Sequence, residues 1–131
     1  MTIGSNIYSQ AFYKQDTATQ QKISQLQAID SQVKAHEMAH QAAGGSLAGA
    51  AHYTLKKGPD GKDYAVAGEV PIKIEKGKDP QETIQNMEQI KAAALAPSDP
   101  SPQDLKVAQT AEMIEAQEEL KLEQAHIDVY A

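Results

Sequence analysis

Apolar residues recur every three to four positions between residues 17 and 43, a spacing that predicts a long amphipathic helix. Thr17 and Gln20 match a capping box at its start, and the pair Gly44-Gly45 supplies a stop at its end. The positions on the apolar stripe are Leu26, Ile29, Val33, His36, His40 and Ala43. Because two histidines continue the stripe, we expect them to face the protein interior.

Residues 53–57 and 63–74 have the sequence pattern of two β-strands, and the turn sequence Gly58-Pro59-Asp60-Gly61 lies between them. This pattern predicts a β-hairpin with proline at the second turn position. Pro71 has no N–H to donate to a ladder, so the second strand is an edge strand or breaks there. An edge strand can bind an extended polypeptide through its free backbone groups, which is the partner we expect for this chain.

Two further helices are predicted near the C-terminus, each from a matching start signal. Asp79-Pro80 and Ser101-Pro102 each give a capping residue followed by proline, with an acid two residues later at Glu82 and Asp104. The first helix should end before Pro97. The predicted apolar positions are Ile84, Met87, Ile90 and Ala94 in the first helix, and Val107, Ala111, Ile114, Leu122 and Ala125 in the second.

The last helix is also rich in glutamate, and we expect this acidic run to be a solvated face rather than a cation site. The glutamates concerned are Glu112, Glu115, Glu118, Glu119 and Glu123. Together the elements predict an α+β fold that is mainly helical, with a long first helix, one β-hairpin and two C-terminal helices. We expect a flexible arm at residues 1–16, a single domain at 17–126 and a tail at 127–131.

Composition narrows the classes of function. The net charge is -6 and the lysines form no stripe, which argues against nucleic-acid binding. Cysteine is absent, so histidine and carboxylates are the strong zinc ligands available. No stretch approaches the roughly 18 apolar residues that span a membrane, and the N-terminus does not read as a signal peptide. We therefore expect a cytoplasmic protein; the sequence does not predict an oligomeric state.

The segment His36-Glu37-Met38-Ala39-His40 matches the pattern H-E-x-x-H. Residues four apart lie on one face of a helix, so both imidazoles can bind one Zn²⁺ while Glu37 activates the metal-bound water as a general base. This chemistry indicates a zinc metalloendopeptidase. The structural alternative is a pair of packed core histidines, each hydrogen-bonded to a carbonyl, with Glu37 in an ordinary ion pair.

A catalytic zinc needs a third protein ligand, and the sequence leaves several candidates. Ala43 and Ser46 stand where a metzincin would need glycine and histidine, so that class is excluded. We predict Glu69, which shares a strand face with Ala65 and Ala67, as the third ligand. The alternatives are His52, Glu82 and Glu88. Tyr64, or else Tyr53, is the candidate donor to the oxyanion that forms during hydrolysis.

Three blocks of sequence resemble the SprA-related family of bacterial metallopeptidase catalytic domains. They read VKAHEMAHQAAGG, YTLKKGPDGKDYAVAGEVPI and DPQETIQNMEQIKAAALAP, and the resemblance covers roughly residues 30–107. It implies a zincin-like domain in which His36 and His40 match the zinc histidines and Glu37 matches the catalytic acid. The Gly68-Glu69-Val70 block also matches the family pattern, whereas His52 does not.

The leading hypothesis is a zinc-dependent metallopeptidase that hydrolyses peptide bonds in an extended polypeptide. The alternative is a non-catalytic zincin-like module that binds a protein partner through its acidic last helix. A module of that kind should tolerate Glu37→Gln, whereas a peptidase should lose turnover. The last helix has no sustained heptad, which disfavours a coiled coil.

Overall fold

The computed structural model describes the backbone of residues 2–130 and the side chains of residues 16–130. Within these residues the fold is mixed α+β, with three helices and a two-stranded antiparallel hairpin, as the sequence predicts. The elements are α1 Thr2–Gly44, a short 3-10 turn Gly45–Leu47, β1 His52–Lys57, β2 Asp63–Glu69, α2 Pro80–Ala94 and α3 Pro102–Tyr130.

The chain divides into two compact units. The first unit contains the residues up to Lys34 together with Tyr53–Gly68, and therefore holds most of the hairpin. The second unit contains Ala35–His52 and the residues from Glu69 onward, including α2 and α3. The H-E-x-x-H segment belongs to the second unit. No helix in the part of the chain that the structure describes is long and apolar enough to cross a membrane.

Helix α1 begins at Thr2, so the predicted start at Thr17 is wrong. The capping signal at Thr17 is overridden because residues 5–43 contain neither glycine nor proline, and nothing interrupts the backbone ladder. The predicted arm at residues 1–16 is thus helical from Thr2 onward, and its flexibility stays a prediction. Met1 lies outside the described residues.

The hairpin turn of the first unit forms where the sequence predicts it. The Gly58 N–H donates to the Lys62 carbonyl at 2.8 Å, and the Gly61 N–H donates to the Gly58 carbonyl at 3.0 Å. Gly61 has a φ of 77°, a left-handed conformation that glycine adopts without steric cost. Pro59 stands at the second turn position, where its fixed φ is compatible with the turn.

Asp30 ties α1 to β2 within the first unit. Its Oδ1 accepts a hydrogen bond of 2.7 Å from the Ala65 N–H, and its Oδ2 lies 3.0 Å from the Lys34 Nζ. The Ala65 N–H is therefore not available to an added strand. All six residues of β1 are exposed.

We expect Asp30→Asn to weaken this tie and to remove part of the acid sensitivity of the first unit. The Ala65 hydrogen bond and then Lys34 hold the pKa of Asp30 below its ordinary value. Its stabilising contribution is therefore complete above the ordinary pKa and is lost as the pH falls through the lower, folded value. Hydrogen exchange of the Ala65 amide, measured from about pH 6 down to about pH 2, should show protection that fades at the acid end in the wild type.

The Asp30→Asn variant should show weaker Ala65 protection throughout, without that pH step. Asp16→Asn, an exposed change of the same kind on α1, is the matched control. Unchanged protection in Asp30→Asn would contradict the assigned tie.

In the second unit, β2 ends at Glu69, earlier than the predicted Ile74. The reason is Pro71, which cannot donate to the hairpin ladder, as the sequence indicates. The chain then pairs elsewhere: Ala48 and Ile72 form an antiparallel bridge. The Gly49 N–H donates to the Pro71 carbonyl at 2.8 Å, and the Lys73 N–H donates to the Leu47 carbonyl at 2.8 Å.

Both C-terminal helices begin at the predicted signals. The Asp79 side chain accepts from the Glu82 N–H at 2.8 Å, and Pro80 is the first residue of α2. The Ser101 Oγ accepts from the Asp104 N–H at 3.0 Å, at the start of α3. Helix α2 ends at Ala94, before Pro97 as predicted.

The core of the second unit forms where α2 packs against α3 and the 3-10 turn. Its buried members are Leu47, Met87, Ile90 and Ala111, with Ile72, Val107 and Ile114 packed around them. Leu122 and Ala125 were predicted on the same stripe, but both are exposed. Helix α3 also continues to Tyr130 through most of the predicted tail, because no glycine or proline follows Pro102. Ala131 lies outside the described residues.

The predicted solvated acidic face of α3 is partly wrong. Glu112, Glu119 and Glu123 are exposed, but Glu118 is only 4% exposed. Its Oε1 lies 3.0 Å from the Lys121 Nζ and 3.9 Å from the Lys76 Nζ, so its charge is paired. Glu115 is half-buried and lies 3.5 Å from Lys91.

Candidate metal centre

His36 and His40 lie one turn apart near the end of α1, with their rings against each other. The ring centroids are 4.8 Å apart, and the two Nε2 atoms are 3.1 Å apart. The His40 side chain is 3% exposed and the His36 side chain is 26% exposed. The predicted inward direction is thus correct for His40, while His36 stands at the edge of the buried region.

Asp104, from the first turn of α3, completes the cluster. Its Oδ2 lies 3.2 Å from the Nε2 of His36 and 3.2 Å from the Nε2 of His40. The ligand atoms of these three residues all lie within 4.8 Å of one another. The sequence predicts Asp104 only as a capping acid, and its approach to the two histidines is not predicted. The Ser101-Pro102-Gln103-Asp104 signal fixes where the carboxylate lies on α3 but does not identify its distant partners.

Capping geometry holds the Asp104 carboxylate in place. Its Oδ2 accepts from the Ser101 N–H at 2.9 Å, while its own N–H donates to the Ser101 Oγ. Burial raises the pKa of Asp104, but the Ser101 N–H, the Ser101 hydroxyl and the two histidines outweigh this, and the pKa lies below its ordinary value. The ionised form is the form that binds a cation.

A carbonyl oxygen fixes the tautomer of His40. The Nδ1 of His40 lies 2.8 Å from the Ala93 carbonyl, and a carbonyl only accepts, so Nδ1 carries the hydrogen. In the neutral ring, Nε2 then presents a lone pair toward Asp104. Two acceptor atoms 3.2 Å apart repel each other unless a proton or a cation lies between them. A carbonyl behind the ring is also the usual outer partner of a metal-binding histidine.

The three converging atoms fit a zinc ion by their chemistry and by their spacing. Zinc binds imidazole nitrogen and carboxylate oxygen at roughly 2.0–2.1 Å in tetrahedral sites, so two of its ligand atoms stand roughly 3.3 Å apart. The three separations here are 3.1, 3.2 and 3.2 Å. Three protein ligands of this kind would suit a catalytic rather than a structural zinc ion.

Glu37 lies beside the cluster with an orphaned oxygen. The residue is 4% exposed, and its Oε2 has no hydrogen-bond partner among the described residues. Burial raises the pKa of Glu37; His36 and His40 oppose the rise, and the charges of Asp104 and Glu69 add to it. A buried carboxylate with a free lone pair and a raised pKa is suited to accept a proton from a water molecule.

Glu69, the predicted third ligand, is not one of the three residues that converge. It is exposed at the end of β2 in the second unit, and its charge acts on Glu37. Tyr64, the predicted oxyanion donor, lies in the first unit, 6% exposed, and its O–H donates to the Asp60 carboxylate. That bond raises the pKa of Tyr64. The catalytic role of Tyr64 stays a prediction.

The remaining candidates are also outside the cluster. His52 and Glu88 are exposed, at the start of β1 and on α2 respectively. Glu82 is half-buried in the first turn of α2. Tyr53, the second candidate oxyanion donor, is 37% exposed on β1.

Comparison with known proteins gives one family. The sequence profile of the SprA-related family matches residues 5–129, a range that includes His36, Glu37, His40 and Asp104. No curated protein and no solved structure matches the chain.

Proposed function

The chain belongs to the SprA-related family, and for this member we propose the function of a zinc-dependent metallopeptidase. The observation that carries the proposal is the convergence of His36, His40 and Asp104 beside a buried Glu37 with an unpartnered oxygen. Packed core histidines would account for the His40 bond to Ala93. They would not explain why the Asp104 carboxylate approaches both Nε2 atoms, or why the buried carboxylate of Glu37 lies beside them.

In this proposal the Nε2 atoms of His36 and His40 and the Oδ2 of Asp104 would hold a zinc ion. Zinc, when bound, supplies Lewis acidity that lowers the pKa of a water ligand and polarises a carbonyl. The Ala93 carbonyl holds the His40 ring in the tautomer that binds a cation. The Ser101 N–H orients the Asp104 carboxylate from outside the site.

Glu37 acts as the general base. Its Oε2 accepts a proton from the attacking water and then delivers it to the amine that leaves. The burial that raises the pKa of Glu37 makes its carboxylate a stronger base than a solvated one. The low solvent exposure of this oxygen also keeps bulk water from competing for the proton.

The proposed substrate is an extended polypeptide, and the second unit offers a backbone edge for it. Because the Lys73 N–H and the Pro71 carbonyl face the Leu47–Gly49 segment, the N–H and C=O groups of Ile72 point to the opposite side. Among the described residues, no hydrogen bond engages these Ile72 groups. An extended peptide can pair with them as an added strand.

One observation favours the alternative of a non-catalytic zincin-like binding module. The end of α3 exposes several apolar side chains, including Leu120, Ile127 and Val129. A protein partner could cover them without any hydrolysis. A cleavage assay distinguishes the two functions. Only a peptidase should cleave an unstructured polypeptide, lose this activity on chelation and regain it when zinc is added back.

Ser101→Ala is expected to lower zinc affinity by roughly 10-fold, at the low end of the 10–100-fold loss seen when an outer partner of a metal ligand is removed. The variant loses the acceptor for the Asp104 N–H, a cap that contributes about 0.5–2 kcal/mol, and the first turn of α3 loosens. Competition titration with a chromophoric chelator measures the affinity.

Two variants serve as controls for that titration. Ser101→Thr keeps the hydroxyl and should restore the affinity, and Ser98→Ala changes an exposed loop serine and should have no effect. Equal zinc affinity in Ser101→Ala and the wild type would show that the cap does not position Asp104.

A further inference from the structure

A groove runs along the first two turns of α3, in the second unit. Its volume is about 760 Å³, within the range of roughly 300–1,000 Å³ that is usual for ligand sites. Ile74, Pro102 and Val107 form its apolar wall, and the polar residues of the lining are Ser101, Gln103, Lys106 and Thr110. The metallopeptidase proposal assigns no role to this groove.

One wall of the groove is held in place by the chain that carries Ile74. On one side of Ile74, the Lys73 N–H donates to the Leu47 carbonyl at 2.8 Å. On the other side, the Asn86 Nδ2 donates to the Glu75 carbonyl at 3.1 Å. The groove is therefore largely formed before any ligand enters, which lowers the entropy lost on binding.

Lys106 places a single positive charge in this groove. Its side chain is exposed and forms no ion pair with any described residue, although the chain as a whole carries a net charge of -6. An apolar wall with one unpaired cation is complementary to an aliphatic side chain that has a carboxylate next to it.

The groove and the metal cluster share the start of α3. Ser101 lines the groove, and its N–H donates to the Asp104 carboxylate. Val107, three residues after Asp104, lies on a neighbouring face of α3, whereas Lys106, two residues after Asp104, lies on the far side of the helix. A helix with its side chains is about 10–12 Å across, which is the distance that a peptide must cover. An extended peptide spans about 3.3–3.6 Å per residue, so a peptide at the metal cluster can reach the groove within roughly four residues of the bond that is cut.

We propose that this groove is a specificity subsite for an aliphatic residue next to an acidic residue, within four positions of the scissile bond. The inference rests on the proposed peptidase function and names its substrate class. Val107 and Ile74 contact the aliphatic side chain, and the Lys106 ammonium pairs with the carboxylate.

The test uses a defined library of unstructured decapeptides and the zinc-loaded 131-residue chain. Cleavage products are identified by mass spectrometry for the wild type, for Lys106→Glu and for Lys22→Glu, an exposed control on α1 with the same change of charge. In parallel, peptide capture is measured on the Glu37→Gln background with and without Lys106→Glu. We expect wild-type and Lys22→Glu cleavage sites enriched at least several-fold for an acidic residue beside an aliphatic one.

Lys106→Glu should reverse that acidic preference to a basic one, in cleavage and in capture alike. Ile74→Ser should weaken the aliphatic preference while the acidic one remains. Cleavage with the same preferences in Lys106→Glu as in the wild type would overturn the subsite and leave the peptidase standing. If no peptide is cleaved, the peptidase fails, and the capture measurement still decides whether Lys106 selects acidic peptides.

Discussion

The Glu37→Gln variant is expected to lose peptide hydrolysis by roughly 10²–10⁴-fold, the usual contribution of a general base, while it keeps its zinc. The amide has nearly the shape of the carboxylate but cannot accept the proton of the attacking water. The fold should tolerate the change, because Glu37 is 4% exposed and its Oε2 has no hydrogen-bond partner among the described residues. Removing the buried charge relieves its desolvation cost, and this gain offsets the cost of burying the amide N–H groups.

Three measurements on one preparation separate a loss of chemistry from a loss of structure. Zinc content and the thermal unfolding midpoint should stay near wild type, and only the rate of cleavage should fall. Glu112→Gln, on the exposed side of α3, is the matched control and should behave as wild type in all three. Undiminished cleavage by Glu37→Gln would remove Glu37 from the mechanism.

The Asp104→Asn variant is expected to lose zinc affinity by more than the roughly 10–100-fold that loss of an outer partner costs. The neutral amide replaces the one anionic group whose oxygen lies 3.2 Å from both histidine nitrogens. Glu69→Gln removes the same charge from the competing candidate and is expected to leave the affinity within a few-fold of wild type.

Competition titration of the two variants decides between the carboxylates. Asp99→Asn, an exposed change in the loop before α3, is the control for net charge. Zinc loss in Glu69→Gln with retention in Asp104→Asn would reverse the assignment made here.

Much of the framework follows from local signals in the sequence. The starts of α2 and α3 are predicted correctly, because each depends on a short-range hydrogen bond. The Asp79 and Ser101 side chains each accept from a backbone N–H three residues later. The pairing of His36 with His40 follows from helical spacing alone. The end of β2 before Pro71 follows from a missing N–H. None of these needs knowledge of a distant contact.

The approach of Asp104 to the two histidines depends on such a distant contact. Asp104 lies 64 residues beyond His40 along the chain, and its capping role already explains its place in the sequence. The sequence instead favours Glu69 as the third ligand, because Glu69 shares a strand face with the small residues Ala65 and Ala67. The burial of Glu118 is not predicted either, because one of its partners, Lys76, lies in a loop far from it in the sequence.

The measurement that tests the account most directly is the zinc content of the 131-residue chain, purified without chelators or an affinity metal. Mass spectrometry should find about one zinc per chain in the wild type and almost none in His40→Ala or Asp104→Asn. Absence of zinc from the wild type, even after zinc is added back, would contradict the metallopeptidase proposal. His36, His40 and Asp104 would then be a hydrogen-bonded cluster between α1 and α3.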